Sequence, residues 1–156
     1  MEHHNTILAC FLHWEATCPE DVFLRQPIGK NWKVYSWKDA GALSRNILRV
    51  LRRHGFNYGD RMAILSANCA EWIIYDLAMM MGGFISVPLY ANVNAHTMQD
   101  ILSHSGSSII FIGKLVAKDW EQQKIAIPPQ IQTVTMEGHE KKRHPIMDRL
   151  CRKHRC

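Results

Sequence analysis

Little in this 156-residue sequence announces a catalytic centre. Neither GxGxxG nor GxxxxGK[ST] occurs, so the two common glycine-rich phosphate cradles are excluded as motifs. The five cysteines (Cys10, Cys18, Cys69, Cys151, Cys156) form no CxxC pair and leave an odd thiol. With no secretory signal at the N-terminus, reduced thiols and a cytoplasmic location are expected. Long apolar runs are also scarce. Residues 77 to 99 lack Asp, Glu, Lys and Arg, but Gly82, Gly83, Pro88, Asn92 and Asn94 interrupt them. The stretch therefore falls short of the roughly 20 apolar residues that span a bilayer. Most of the chain lacks net charge as well: residues 1 to 137 hold twelve Lys or Arg against twelve Asp or Glu. The formal +5 sits in residues 138 to 156, where Lys141, Lys142, Arg143, Arg149, Arg152, Lys153 and Arg155 face only Glu140 and Asp148. The high pI is a property of a tail and carries no information about the fold.

What is present is a globular balance, with 47% hydrophobic and 21% charged residues, sufficient for one domain or part of a larger one. Asn5-Thr6 can cap a helix over roughly 7 to 17, which Pro19 ends. Val22–Gln26 and Trp32–Tyr35 flank a turn, Pro27-Ile28-Gly29-Lys30, and predict a hairpin. Ser36 with Asp39 opens a helix that runs to His54, with Ala40, Leu43, Ile47 and Leu51 on one face. The other face carries Lys38, Arg45, Arg49, Arg52 and Arg53, a solvated stripe or a surface for anions. Arg61–Leu65 predicts a strand, Asn68 with Glu71 a capping pair, and Cys69 to Met81 a helix apolar nearly all round. A strand at Ile85–Pro88, a helix from Asn94 to about His104 and a strand at Ser108–Ile112 follow, with a weaker strand candidate at Gln132–Met136. Strands alternating with helices at this spacing imply an α/β fold with a parallel sheet and right-handed crossovers.

The residues offer few places for chemistry. Ser66-Ala67-Asn68 lies at a strand's carboxyl end, where ligands bind in parallel sheets, although a helix cap accounts for it. Gly82-Gly83 and Ser105-Gly106-Ser107-Ser108 precede their strands, the wrong end for a phosphate. His144, Cys151, His154 and Cys156 have no structural-zinc spacing and sit among cations. No catalytic, cofactor-binding or metal-ligating residue is assigned.

Three segments resemble the adenylate-forming (AMP-binding) acyl-CoA synthetases, long-chain fatty acid–CoA ligase branch. Asp21–Ser44 (DVFLRQPIGKNWKVYSWKDAGALS) is similar to the family's opening hairpin and helix start. Gly59–Tyr90 (GDRMAILSANCAEWIIYDLAMMMGGFISVPLY) resembles its strand–Asn–Glu-Trp–helix–strand block. His104–Gln122 (HSGSSIIFIGKLVAKDWEQ) resembles the next strand of the long-chain branch. The resemblance covers about residues 5 to 136, giving an N-terminal synthetase fragment at 1–137 and a basic His/Cys-containing tail at 138–156. It implies a parent that joins a fatty acid to coenzyme A through an acyl-adenylate, with ATP, Mg²⁺ and CoA as cofactors. The family's Ser/Thr/Gly-rich ATP loop, its Mg²⁺-adjacent acid, ribose-binding Asp and C-terminal Lys have no counterpart here. The fragment is therefore expected to be inactive alone and to need the remainder of the synthetase as partner.

A reading of a different class makes the chain a non-catalytic binding module whose basic tail meets anionic lipid or nucleic acid. The tail has no aromatic residue to stack on bases, which weighs against nucleic acid and leaves peripheral membrane contact. For folding, a helix as apolar as Cys69–Met81 over three strands predicts exposed helix surface and a bare sheet edge after Ser108–Ile112.

Overall fold

The computed structural model describes residues 6–136 of the chain. In order, the elements are α1 (Ile7–Thr17), β1 (Val22–Ile28), β2 (Asn31–Ser36), α2 (Trp37–Arg53), β3 (Arg61–Leu65) and α3 (Ala70–Gly82). Then come β4 (Ile85–Leu89), α4 (Ala95–Ser105), β5 (Ile109–Ile112), α5 (Ala117–Gln123), a 3₁₀ turn (Lys124–Ala126) and β6 (Gln132–Thr135). The α/β class expected from the sequence is present. The strands form an antiparallel pair β1–β2 and a parallel sheet in the order β4-β3-β5-β6.

Alternation along β3 and β5 decides the layers. Met62 and Ile64 of β3, with Ile109 and Phe111 of β5, meet Leu51 of α2 and Tyr75 and Met79 of α3. Ala63, Leu65, Ile110 and Ile112 point the other way, onto Met98 and Leu102 of α4. Both faces are thus covered, and β3 and β5 read as nearly unbroken apolar runs, as buried parallel strands must. The opposite side of α3 packs through Ala70, Ile74 and Leu77 against Phe11, Tyr35 and Ala40. The helix sits between two apolar layers, which is why its sequence shows no wet face.

The hairpin is tighter than its sequence suggested. Pro27 and Ile28 remain in β1, and Ile28 pairs with Asn31 across Gly29-Lys30. Gly29 has φ +60°, and it holds the first central position, where a II′ hairpin turn takes glycine. Ser36 and Asp39 form the full capping box of α2. The capping pair Asn68/Glu71 does not form. Cys69 is the N-cap of α3 and makes no side-chain cap bond. The Ala70 N–H instead donates to Gln26 Oε1 of β1 at 2.8 Å, across 44 residues of sequence. The hairpin lies against the start of α3, so a strand side chain takes the orphan donor of the helix end.

Two folding expectations need correction. No residue of α3 is exposed, because the α1–hairpin layer covers the side that the sheet does not. The edge after β5 is not bare either: β6 pairs with it in parallel from Ile109↔Gln132 to Ile112↔Thr135. Exposed large apolar side chains stand instead on α1 (Ile7, Trp14), on the hairpin (Ile28, Trp32, Val34) and on connections such as Tyr58, Tyr90, Val116 and Ile125. Among the described residues no helix is long and apolar enough to cross a membrane. Residues 77 to 99 are divided among α3, β4 and α4.

Candidate functional site

In an open parallel sheet, ligands bind where adjacent strands send their crossovers to opposite faces. Here that point lies between the carboxyl ends of β3 and β5, which pair through Leu65↔Ile112. After β3 the chain turns into α3 on one face, and after β5 into α5 on the other. The crevice is built from Ser66, Asn68 and Cys69 on the first loop and Gly113 and Lys114 on the second. Ser66-Ala67-Asn68, singled out in the sequence, is placed there by the structure.

The crevice is closed by its own hydrogen bonds. Gly113 N–H donates to Leu65 O at 3.0 Å, and Ala67 N–H to Lys114 O at 2.8 Å. The buried Ser66 hydroxyl donates to Ala67 O at 2.7 Å and accepts from Lys114 N–H at 2.9 Å. It also lies 3.5 Å from the Cys69 sulfur. A Cβ on Gly113 would stand 2.7 Å from the Ser66 Cβ and 3.0 Å from the Met136 sulfur. The glycine is needed for this close approach, and the Ser66 side chain closes the gap between the two loops. Only Asn68 and Lys114 reach solvent at the rim. These residues do not fit a nucleotide or a bound Mg²⁺. Among the described residues no group of three or more His, Cys, Asp or Glu is placed to hold a metal.

The other sequence candidates lie elsewhere. Gly83, at φ +64°, is the left-handed C-cap of α3, and a Cβ on Gly82 would meet the Phe84 ring. Ser105 and Ser107 share a 2.8 Å hydroxyl contact before β5, at the sheet's amino end. The basic stripe of α2 is largely structural. Arg45 makes a bidentate pair with Glu15, one arm at 2.9 Å, and the hydrogen-bonded carboxylate holds its guanidinium above the ordinary value. Arg52 donates to Phe56 O at 3.1 Å and Gly82 O at 2.6 Å, with its guanidinium over the Phe84 ring. Lys38 pairs with Glu20 at 3.0 Å. Arg49 and Arg53 are exposed. The tail residues His144, Cys151, His154 and Cys156 lie outside the described residues.

A cleft of about 410 Å³, solvent at its mouth included, opens between the end of α2 and β5–β6. Ile47, Val50, Phe111 and Val134 line it, with His54, Tyr75 and Gln132 as its polar neighbours. Sequence reasoning missed two polar ties. Tyr35 donates to the buried Glu71 Oε1 at 2.7 Å, with Lys33 Nζ 3.8 Å from the same oxygen. The buried Gln123 donates from Nε2 to Ala91 O and Val93 O at 2.9 and 2.8 Å, fixing α5 to the loop after β4. Tyr35 and Gln26 share the inner face of the hairpin, and a polar residue at an inward register was the available signal.

Comparison with known proteins fits this scaffold. Fatty acyl-CoA synthetase A of Dictyostelium discoideum is 36% identical over 89 residues, covering 56% of this chain and 13% of that protein. Long-chain-fatty-acid–CoA ligase FadD15 of Mycobacterium bovis is 30% identical over 110 residues, covering 70% of this chain and 18% of its own length. The chain therefore spans less than a fifth of these relatives. The crystal structure of coronafacic acid ligase from Pectobacterium brasiliense superposes with a TM-score of 0.73 at 19% identity, over 88% of this chain and 27% of that one. A family profile described as AMP-binding enzyme matches residues 11–152, reaching past Met136 into the basic tail. With the profile spanning most of its length and the sheet shared with a solved ligase, the chain belongs to the AMP-binding enzyme family.

Proposed function

We propose that this chain supplies the scaffold of the first subdomain of an ATP-dependent, AMP-forming long-chain fatty acid–CoA ligase and carries none of its reacting groups. The observation that carries the reading is the family match over residues 11–152 combined with the filled crevice between β3 and β5. The long-chain relatives support the acyl-CoA branch. In such an enzyme ATP and Mg²⁺ activate the fatty acid as an acyl-adenylate, and CoA takes the acyl group. The residues present here do not cradle those groups. Their part is to hold the β3–β5 loops shut and to fix α3 between sheet and hairpin, against which downstream elements would be positioned. A cytoplasmic setting with peripheral membrane contact accords with a fatty-acid substrate.

The test is fatty-acid-dependent pyrophosphate release by the purified 156-residue chain. None is expected, and robust turnover would overturn the reading. The DNA immediately downstream supplies a second test. An SGTTGxPKG-like loop encoded there, in frame or shifted, supports a severed synthetase.

A further inference from the structure

The outer face of the hairpin is exposed and partly apolar. Gln26 and Tyr35 point inward and are buried. The alternate pairs Arg25↔Val34 and Pro27↔Trp32 therefore share the opposite face. All four residues are exposed, Trp32 at 64% and Val34 at 48%. An antiparallel pair with one wet face normally alternates to polar residues there, whereas this one sets Pro27, Trp32 and Val34 beside a single charge, Arg25.

Charge on the hairpin has one sign. Between Asp21 and Asp39 the sequence holds Arg25, Lys30, Lys33 and Lys38, and no Asp or Glu. Lys33 turns inward, 3.8 Å from Glu71 and over the Tyr35 ring, and Lys38 pairs with Glu20. Arg25, directly across from Val34, and Lys30 in the turn stay exposed. An indole at an apolar–polar boundary flanked by cations is the chemistry of the headgroup layer of an anionic bilayer. There the ring sits at the interface and each Lys or Arg gains from negative surface potential.

We propose that the outer face of β1–β2 is a peripheral docking surface for anionic phospholipid bilayers. Trp32 and Val34 enter the interface, and Arg25 and Lys30 meet lipid phosphates. Charge complementarity selects the occupant, since cations without a local acid fit a negatively charged surface. The inference is independent of the ligase reading and places the contact on the hairpin rather than on residues 138 to 156.

The test uses the full chain with phosphatidylcholine vesicles, with and without phosphatidylserine, and with brominated lipid to quench tryptophans that reach the bilayer. Partitioning that requires phosphatidylserine, with clear quenching, is expected. Trp32→Ser should lower partitioning about tenfold by removing the buried indole. It should also abolish most of the quenching, while Trp14, Trp37, Trp72 and Trp120 still emit. Arg25→Gln and Lys30→Gln should each lower partitioning about fivefold. Lys30→Gln lies in the exposed turn and keeps the test open should Trp32→Ser fail to fold, as judged by circular dichroism. Equal binding to neutral vesicles, or Trp32→Ser quenched like the parent, overturns the proposal, the latter assigning contact to the tail. No vesicle binding at all also overturns it and leaves the face to a protein segment.

Discussion

The two sheets of this molecule are held by different forces. In β3 and β5 every residue but Arg61 is buried, and the contacts are apolar on both faces. In the hairpin only Gln26 and Tyr35 are buried, and both are polar. Gln26 caps the start of α3 and Tyr35 binds Glu71 of its first turn. Aromatic packing supports these bonds, with Phe23 and Trp37 rings 4.2 Å apart and Phe11 edge-on to Phe23 at 5.3 Å. A two-stranded ribbon is marginal by itself, so its placement depends on directed bonds to a neighbour. The parallel sheet is placed mainly by the apolar area that it buries on both faces. The difference shows why one part of the chain can look strongly apolar and the other nearly polar while both are ordered.

The contrast is broken most severely at the sheet. Phe111→Ala removes a 2%-exposed ring that packs 4.9 Å from Tyr75, and should cost about 3–5 kcal/mol in urea unfolding. The same truncation at Trp32, on the outer face of the hairpin, should leave the midpoint nearly unchanged.

A second substitution examines the loop clasp. Gly113→Ala sets a methyl against Ser66 and should destabilise by about 1–3 kcal/mol. The loss should be smaller in a Ser66→Gly background, which clears the Cβ. Equal losses in both backgrounds would show that the clasp does not limit the space.

The hairpin is probed by Tyr35→Phe, which takes the hydroxyl donor from a buried carboxylate. A loss of about 1–3 kcal/mol is expected. Double-mutant cycles of Tyr35→Phe with Glu71→Gln should show coupling, and cycles with Phe111→Ala should be additive.

The smallest effect concerns the cap of α2. Hydrogen bonds from the Ser36 backbone N–H and hydroxyl hold the Asp39 carboxyl below its ordinary value. A depressed folded-state pKa stabilises above the unfolded value, and the gain is lost as pH falls through the folded value. The cap contribution should therefore be whole at neutral pH and fade as pH drops below the ordinary 3.8. Ser36→Ala should cost about 1 kcal/mol at neutral pH and less in acid, read from thermal unfolding across pH.

Much of the architecture was legible because its signals are local. The box Ser36–Asp39, the Asn94 cap with its 2.9 Å bond from Thr97 N–H, and the β3–α3–β4 alternation each lie within a few neighbouring residues. The cap of α3 was misread because its acceptor is 44 residues away. β6 was weak in sequence because only Val134 of its four residues is buried, and that burial depends on β5, α2 and α3, which lie elsewhere in the chain.

The α/β class, the starts of α1, α2 and α4 and the family are legible in contiguous chain, through periodicity, capping residues and the Gly59–Tyr90 block. Contacts between distant segments close the β3–β5 crevice and set the α2 arginines against Glu15 and Gly82. Folding also covers α3 from both sides and leaves apolar side chains exposed on α1, the hairpin and several connections. Each of these depends on which distant segment occupies the space beside a residue, and local pattern carries no information about that.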